Sequence, residues 1–311
     1  MDELSSEKGK TVKRVNFRRR KQIVFFTSLV VLPLLQFAIF YIGVNINSFS
    51  MIFQRYEIDP ITNRGYYVWN GLKNFETMIN ELRYGKVLGT ALENSFLAFF
   101  CITFVGVSLA LIFSLYIFRK MPGSGFFKVL LFAPSMLSSI VTVTMFKYFA
   151  EGAIPVLLNT QYGLLSNPDT TKATILFFNV WIGFGTQILM YSGAMNALDK
   201  SITEAAKLDG ASPFREFFSI ILPLIFPTVE TFLVTGVAGI FVNQINLFSF
   251  YGRGAKADLM TIGYYLFKSV DTSTGAEYPL LATYGVSLTL IAAPLTLLSR
   301  YLLEKFGPKT D

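Results

Sequence analysis

The chain has 311 residues, 52% of them hydrophobic and only 15% charged, and contains no histidine. A soluble domain of this size could not cover that much apolar surface, so the composition predicts an all-α integral membrane protein. Without His there is no Ser/His or Cys/His pair and no His-containing metal site, and the single Cys101 excludes an intramolecular disulfide. The net charge of +7 collects at the ends of apolar segments, as orientation signals do, and not on a basic face that would suit nucleic acid.

Residues 1–21 form a basic tail with eight Lys/Arg against three acids. The apolar run 22–44 is too long for a typical signal h-region, and no small-residue cleavage site follows it. It reads as a retained first span. Residues 45–87 are polar, include DPITNRGYY, and are long enough as a connection to carry structure of their own. A second span is predicted over 88–118, ended by Arg119 and Lys120, and a third over 126–149, with Pro134 inside it and Lys147 near its end, placed to snorkel outward. After a polar loop at 159–172, the fourth span covers 173–198. The fifth is read at 226–248, followed by a polar, Gly-containing stretch at 251–276 and a sixth span at 279–303. Residues 88–306 thus make a five-span core, and 307–311 a short tail. Gly106, Ala110 and Ser114 recur every four residues, and Gly236 and Gly239 lie close together; such small-residue faces let helices approach closely in lipid.

Six spans place both termini on one side of the bilayer. The Lys/Arg of the N-terminal tail, Arg119, Lys120, Lys128, the 200–215 segment, Arg300, Lys305 and Lys309 all fall on that side. The positive-inside rule makes it the cytoplasmic one.

Between the fourth and fifth spans lies EAAKLDGASPFREFFSIILPLIFP, residues 204–227. Residues 201–208 read as a short helix with Glu204, Lys207 and Asp209 on its polar side. Gly210 suits a left-handed stop, Ser212 can cap a new helix, and Pro213 fits its first turn. Phe214, Phe217, Phe218 and Ile221 then run into the membrane, and Pro223 and Pro227 mark where the fifth span begins or bends. The segment is an L-shaped cytoplasmic projection. A plain solvated linker is the alternative, but a linker needs neither a defined hinge nor a cluster of surface Phe.

Glu204-Ala205-Ala206, Asp209-Gly210-Ala211-Ser212, Ile221-Leu222-Pro223 and Pro227 resemble, in order and spacing, the EAA loop of ABC importer permeases. Leu92-Glu93-Asn94-Ser95, Phe132-Ala133-Pro134, and Trp181 with Gly183 are similar to the sugar-permease branch, the maltose and glycerol-phosphate type. The resemblance runs from about Gly89 to the C-terminus. It implies a bacterial cell-membrane protein of six spans whose 201–227 loop carries a coupling helix seated in a groove of a separate ATPase. Glu204 and Asp209 would be polar anchors, Gly210 the hinge, and Ala205, Ala206 and Leu208 the close-packed face. It further implies a second homologous permease subunit, two ATPase subunits holding ATP and Mg, an extracytoplasmic solute-binding protein, and a sugar or oligosaccharide as cargo, with membrane lipid around the spans. The chain itself has no G-x-x-x-x-G-K-[ST] sequence and is expected to bind no cofactor. It departs from the branch at Tyr251-Gly252-Arg253-Gly254-Ala255, where sugar permeases often carry Gly-Gly-Pro; this touches how a binding protein would dock.

Polar groups within spans are the candidates for a solute pathway. These are Asn179, Trp181, Gln187 and Tyr191 in the fourth span and Asn243, Gln244 and Asn246 near the outer end of the fifth, with Tyr264 and Tyr265 in the loop beyond. Amides and aromatic rings suit the hydroxyls and C–H faces of a pyranose. The alternative is interhelical hydrogen bonding. Glu93 and Glu230, the acids inside apolar stretches, lie near span ends and read as interfacial. A stand-alone secondary transporter would want midplane carboxylates and inverted repeats. A membrane enzyme would want a general base. Neither pattern is found.

Overall fold

The computed structural model describes residues 20–308. Most of the basic tail, and Lys309 with the end of the C-terminal tail, lie outside these residues. Among the described residues six helices are long and apolar enough to cross a membrane: Arg20–Met51, Lys86–Phe118, Ser139–Leu158, Pro168–Asn196, Pro213–Ala238 and Tyr278–Phe306.

The first span is exposed on every face until its last turns, where Val44–Met51 meets the sixth span. A helix that is apolar all round and uncovered by its own chain must be covered by lipid or another subunit. The polar stretch after it does have structure. Gln54–Ile58 pairs antiparallel with Gly65–Trp69, and the helix Lys73–Tyr84 follows. Buried Asn74 ties the helix to the strand by donating to the carbonyls of Ile52 (2.9 Å) and Gln54 (2.8 Å). This unit is fastened to the bundle by Tyr67, whose hydroxyl donates to the Gly275 carbonyl (3.1 Å), and by a hydrogen bond from the Tyr284 hydroxyl to Glu81.

The third span differs from its sequence reading. Pro134 sits in a tight 3-10 turn, Ala133–Met136, that ends the short helix Ser124–Phe132. Ser138, in extended conformation, then caps a new helix by accepting from the Val141 amide. A proline that lacks its N–H followed by a capping serine splits one apolar run in two. The span therefore begins at Ser139 and reaches Leu158. It encloses Glu151, whose carboxylate accepts from the amides of Leu165 (2.6 Å) and Ser166 (3.0 Å). Lys147 becomes a mid-span residue. It does not snorkel outward; its ammonium donates to the Phe250 carbonyl (2.9 Å) and lies near the Tyr251 ring.

The fifth span also differs. It begins at Pro213, so Pro223 and Pro227 lie within it, and a stretch of wide π turns, Phe217–Ile221, ends two residues before Pro223. Proline and π turns are the usual causes of a bent helix. The helix stops at Ala238, and Asn243, Gln244 and Asn246 fall in an irregular segment before the short helix Leu247–Tyr251. Tyr264 and Tyr265 are on a helix, Ile262–Thr272, and not in a loop. Buried Tyr264 closes the divergent Tyr251–Ala255 turn by donating to the Gly252 carbonyl (2.8 Å) and accepting from the Ala255 amide (3.3 Å).

Two apolar clusters stack along the bundle. One, around Phe178, Phe241, Phe250 and Tyr264, lies toward the hairpin end; the other, around Phe184, Ile188, Ile221 and Ile225, lies toward the elbow between the fourth and fifth spans. Trp181 and Ile102 pack against both. The small-residue face of the second span meets the fourth as its spacing predicts: Gly106, Ala110 and Ser114 are buried, and the Ser114 hydroxyl donates to the Ile188 carbonyl (3.2 Å).

Candidate functional site: an interhelical cavity and a cytoplasmic elbow

A cavity of about 380 Å³ opens between the second, fourth and fifth spans. That is within the roughly 300–1,000 Å³ of small-molecule pockets. Phe99 and Phe232 supply rings; Ser95, Thr103, Gln187, Thr235 and Asn243 supply polar groups; no carboxylate lines it among the described residues. Gly236 sets its width. A Cβ there would lie 2.4 Å from the Thr103 hydroxyl, so only glycine lets the fifth span come this close to the second.

Of the residues read as pathway candidates, Gln187 and Asn243 line this cavity. The buried Gln187 Oε1 has no hydrogen-bond partner among the described residues, nor has the hydroxyl of Tyr191 one turn further along the same helix. The Tyr191 ring meets that of cavity-lining Phe232 edge-on at 5.3 Å. Buried polar atoms are nearly always paired, so an unpaired oxygen on cavity-lining Gln187 and another on Tyr191, which is buried behind the lining, stand out.

Asn179 and Asn246 do something else. Buried Asn179 donates to the carbonyls of Ile175 (2.8 Å) and Ile245 (2.9 Å), and its own carbonyl accepts from the Asn246 amide (2.8 Å). Asn243 Oδ1 accepts from the Ile245 amide (2.8 Å). Ile245 and Asn246 both have positive φ, +45° and +56°. A β-branched residue in that region is strained, and the asparagine side chains hold it there. Asn179 thus clamps the Ile245–Asn246 turn beyond the fifth span, and Asn243 at the cavity rim is tied to the same turn. Trp181 packs between Phe146 and Phe178 and is half-buried; Gln244 is half-buried beside this turn. Neither is among the cavity's lining residues. Ser95, Phe99, Thr103, Thr235 and Gly236 were not singled out as pathway residues. The spacing of Phe99 and Thr103, one turn apart, was the available signal.

The elbow forms as its sequence predicts. The helix covers Lys200–Leu208 and is capped by Asp199, whose side chain accepts from the Ser201 amide (2.9 Å). The backbone amide and hydroxyl of Ser201 hold that carboxyl below the usual carboxylate range. At the other end Gly210 has φ +71°, its amide donates to the Lys207 carbonyl (3.1 Å), and the Ala211 amide donates to that of Ala206 (3.0 Å). This pair of bonds is the Schellman stop. Ser212 then caps the next helix by accepting from the Arg215 amide (3.3 Å), with Pro213 in its first turn. Every turn of the L is therefore fixed by hydrogen bonds within it. Ala206 faces the bundle, at 5% exposure. Glu204, Ala205 and Asp209 face outward, and Leu208 and Phe214 stand 89% and 77% exposed.

Among the described residues no group of three or more acids or cysteines could hold a metal ion. A family model described as binding-protein-dependent transport system inner membrane component matches residues 83–311. The maltose/maltodextrin transport system permease protein MalF of Salmonella typhimurium is 25% identical over 203 residues, which is 60% of this chain and 38% of that protein. MalF of Photorhabdus laumondii is 25% identical over 263 residues, 76% of this chain and 49% of that one. The chain thus spans less than half the length of these curated relatives. Among solved structures, a bacterial ABC transporter involved in the import of the acidic polysaccharide alginate is similar with a TM-score of 0.75 at 18% identity, covering 93% of this chain and 98% of that one. The bacterial alginate ABC transporter in complex with an alginate pentasaccharide-bound periplasmic protein gives 0.76 at 16% identity, covering 94% and 99%. These two likenesses establish the fold. With the family match covering well over half of its length, the chain belongs to the binding-protein-dependent transport system inner membrane components.

Proposed function

We propose that the chain is one permease half of an ATP-driven importer that carries a saccharide into the cell. The observation that carries this reading is the rigid elbow Lys200–Ser212, which leaves Leu208 and Phe214 uncovered at a hinge fixed by its own hydrogen bonds. A lever needs a stiff arm and a surface for its driver. Glu204, Asp209, Ala205 and Leu208 form that surface, and Gly210 is the fulcrum; Ala206 anchors the arm to the bundle. The driver is a pair of ATPase subunits, which hold ATP and Mg. The Lys/Arg distribution supports a cytoplasmic side for the elbow and both termini. The uncovered first span supports a second permease subunit beside this one.

The cavity supplies the passage. Its hydroxyl and amide groups with Phe99 and Phe232 suit a sugar, as do the maltodextrin and alginate cargoes of its relatives. A loaded extracytoplasmic binding protein and ATP would bias the two-state geometry. A secondary carrier is disfavoured because no carboxylate lines the cavity among the described residues. The test is reconstitution in vesicles with omission of one component at a time. Solute uptake should require ATP, the ATPase subunits and the binding protein together; uptake at full rate by this chain alone would overturn the reading.

A further inference from the structure

We infer that Arg119 and Glu216 form the joint that carries motion of the elbow into the second span and, through it, to the cavity wall. This rests on the lever role proposed above and gives that lever a route. Arg119 ends the second span, and its guanidinium donates to Glu216 Oε2 (2.8 Å) and to the Pro213 carbonyl (3.1 Å). Glu216 is 5% exposed. By contrast, Arg55–Glu57 and Arg300–Glu304 are largely exposed pairs within single elements, which hold little. Arg119–Glu216 joins two different spans, with the Arg119 side chain 27% exposed and that of Glu216 only 7%, so truncating Arg119 leaves a buried carboxylate unpaired.

Position gives the pair its meaning. Pro213 and Glu216 are the first turn of the fifth span, immediately beyond the Gly210 stop and the Ser212 cap. A movement of the Lys200–Leu208 helix passes along the chain into this turn, with only residues 209–212 between them. On the other side of the pair, the second span runs unbroken from Lys86 to Phe118, and its Ser95, Phe99, Ile102 and Thr103 line the cavity. A helix rises about 1.5 Å per residue and is stiff along its axis, so a push at Arg119 arrives at Thr103 about 24 Å away. There the ladder changes: Phe100–Val105 adopts wide π turns at the cavity wall. Such turns are where a helix yields, and Thr103 is the side chain against which Gly236 packs. The pair therefore links the driven elbow to the close Thr103–Gly236 contact in the cavity wall.

Arg119 and Glu216 are positioning residues, and the readout is the amount of solute imported per ATP hydrolysed by the full transporter in vesicles. Glu216→Gln and Arg119→Gln should each lower that ratio about five-fold or more, with partial recovery in Arg119→Lys, which keeps the charge. A merely structural role would lower import and hydrolysis together and leave the ratio unchanged, which would overturn the proposal. A second measurement keeps the native pair. Spin labels at exposed Lys120 and Arg215 should hold one separation in nucleotide-free and ATP-trapped transporter; a separation that changes between the two states would also overturn it. Leu208→Asp separates this proposal from its parent. If that variant keeps full stimulation of hydrolysis by loaded binding protein, the lever itself falls. If it loses stimulation while Glu216→Gln keeps the native ratio, only the joint falls.

Discussion

Asn179 offers a sharp test of how the cavity rim is built. Replacing it with Ala removes its two bonds to the Ile245–Asn246 turn, leaving the buried Ile245 carbonyl and the Asn246 amide without partners. Each stranded group costs about 1–3 kcal/mol, so the loss is about 2–6 kcal/mol. The strained backbone at Ile245, φ +45°, also loses a restraint. Asn246→Ala removes only one of the two bonds and should cost about 1 kcal/mol. The assay is thermal unfolding of the assembled complex in detergent, followed by loss of the monodisperse species. Asn179→Ala should lower the midpoint by about 5 °C or more, and Asn246→Ala by clearly less. An Asn179→Ala protein with a native midpoint and weakened solute binding would refute the clamp and return Asn179 to the pathway.

Gly236→Ala should disturb both stability and import, because its Cβ meets the Thr103 hydroxyl at 2.4 Å; overpacking of this kind costs about 1–3 kcal/mol. Thr103→Ala should rescue it in a double-mutant cycle, and simple additivity would contradict the close contact. Gln187→Ala should weaken solute affinity about three- to ten-fold with little change in midpoint, since Oε1 has no protein partner to lose. A lowered midpoint with native affinity would argue against that role. Gly210→Ala meets open space but keeps φ +71°, so it should cost about 1 kcal/mol and speed proteolysis at the elbow; unchanged cleavage would contradict a fixed stop there.

The elbow was legible in the sequence because its signals are local. Gly210, Ser212 and Pro213 each act on the two or three residues beside them, and each sits where its chemistry requires; the Asp199 cap, which starts the helix one residue earlier than its sequence reading, was missed. The second-to-fourth span contact was legible for the same reason, as a four-residue repeat of small side chains. Hydropathy alone was less reliable at breaks. It ran across Pro134 and Ser138, which divide an apolar run, and across Gly239, where the fifth span ends while hydrophobic residues continue. It also started the fifth span late, at a proline that the helix in fact accommodates after a π stretch. The pathway residues were the hardest to read. An amide facing a cavity and an amide clamping a strained turn look alike in sequence, so Gln187 and Asn179 were grouped together. What separates them is the three-dimensional position of Ile245, which no local pattern encodes.

The central claim is that force from partner ATPases enters the bilayer at the elbow. The most direct measurement is ATP hydrolysis by the reconstituted transporter, with and without solute-loaded binding protein, in the native chain and in Glu204→Ala and Leu208→Asp variants. Both residues are exposed on the elbow helix, so their substitution leaves the bundle intact. The account predicts that stimulation by the binding protein is lost in Leu208→Asp and reduced in Glu204→Ala. Undiminished stimulation in both variants would contradict it.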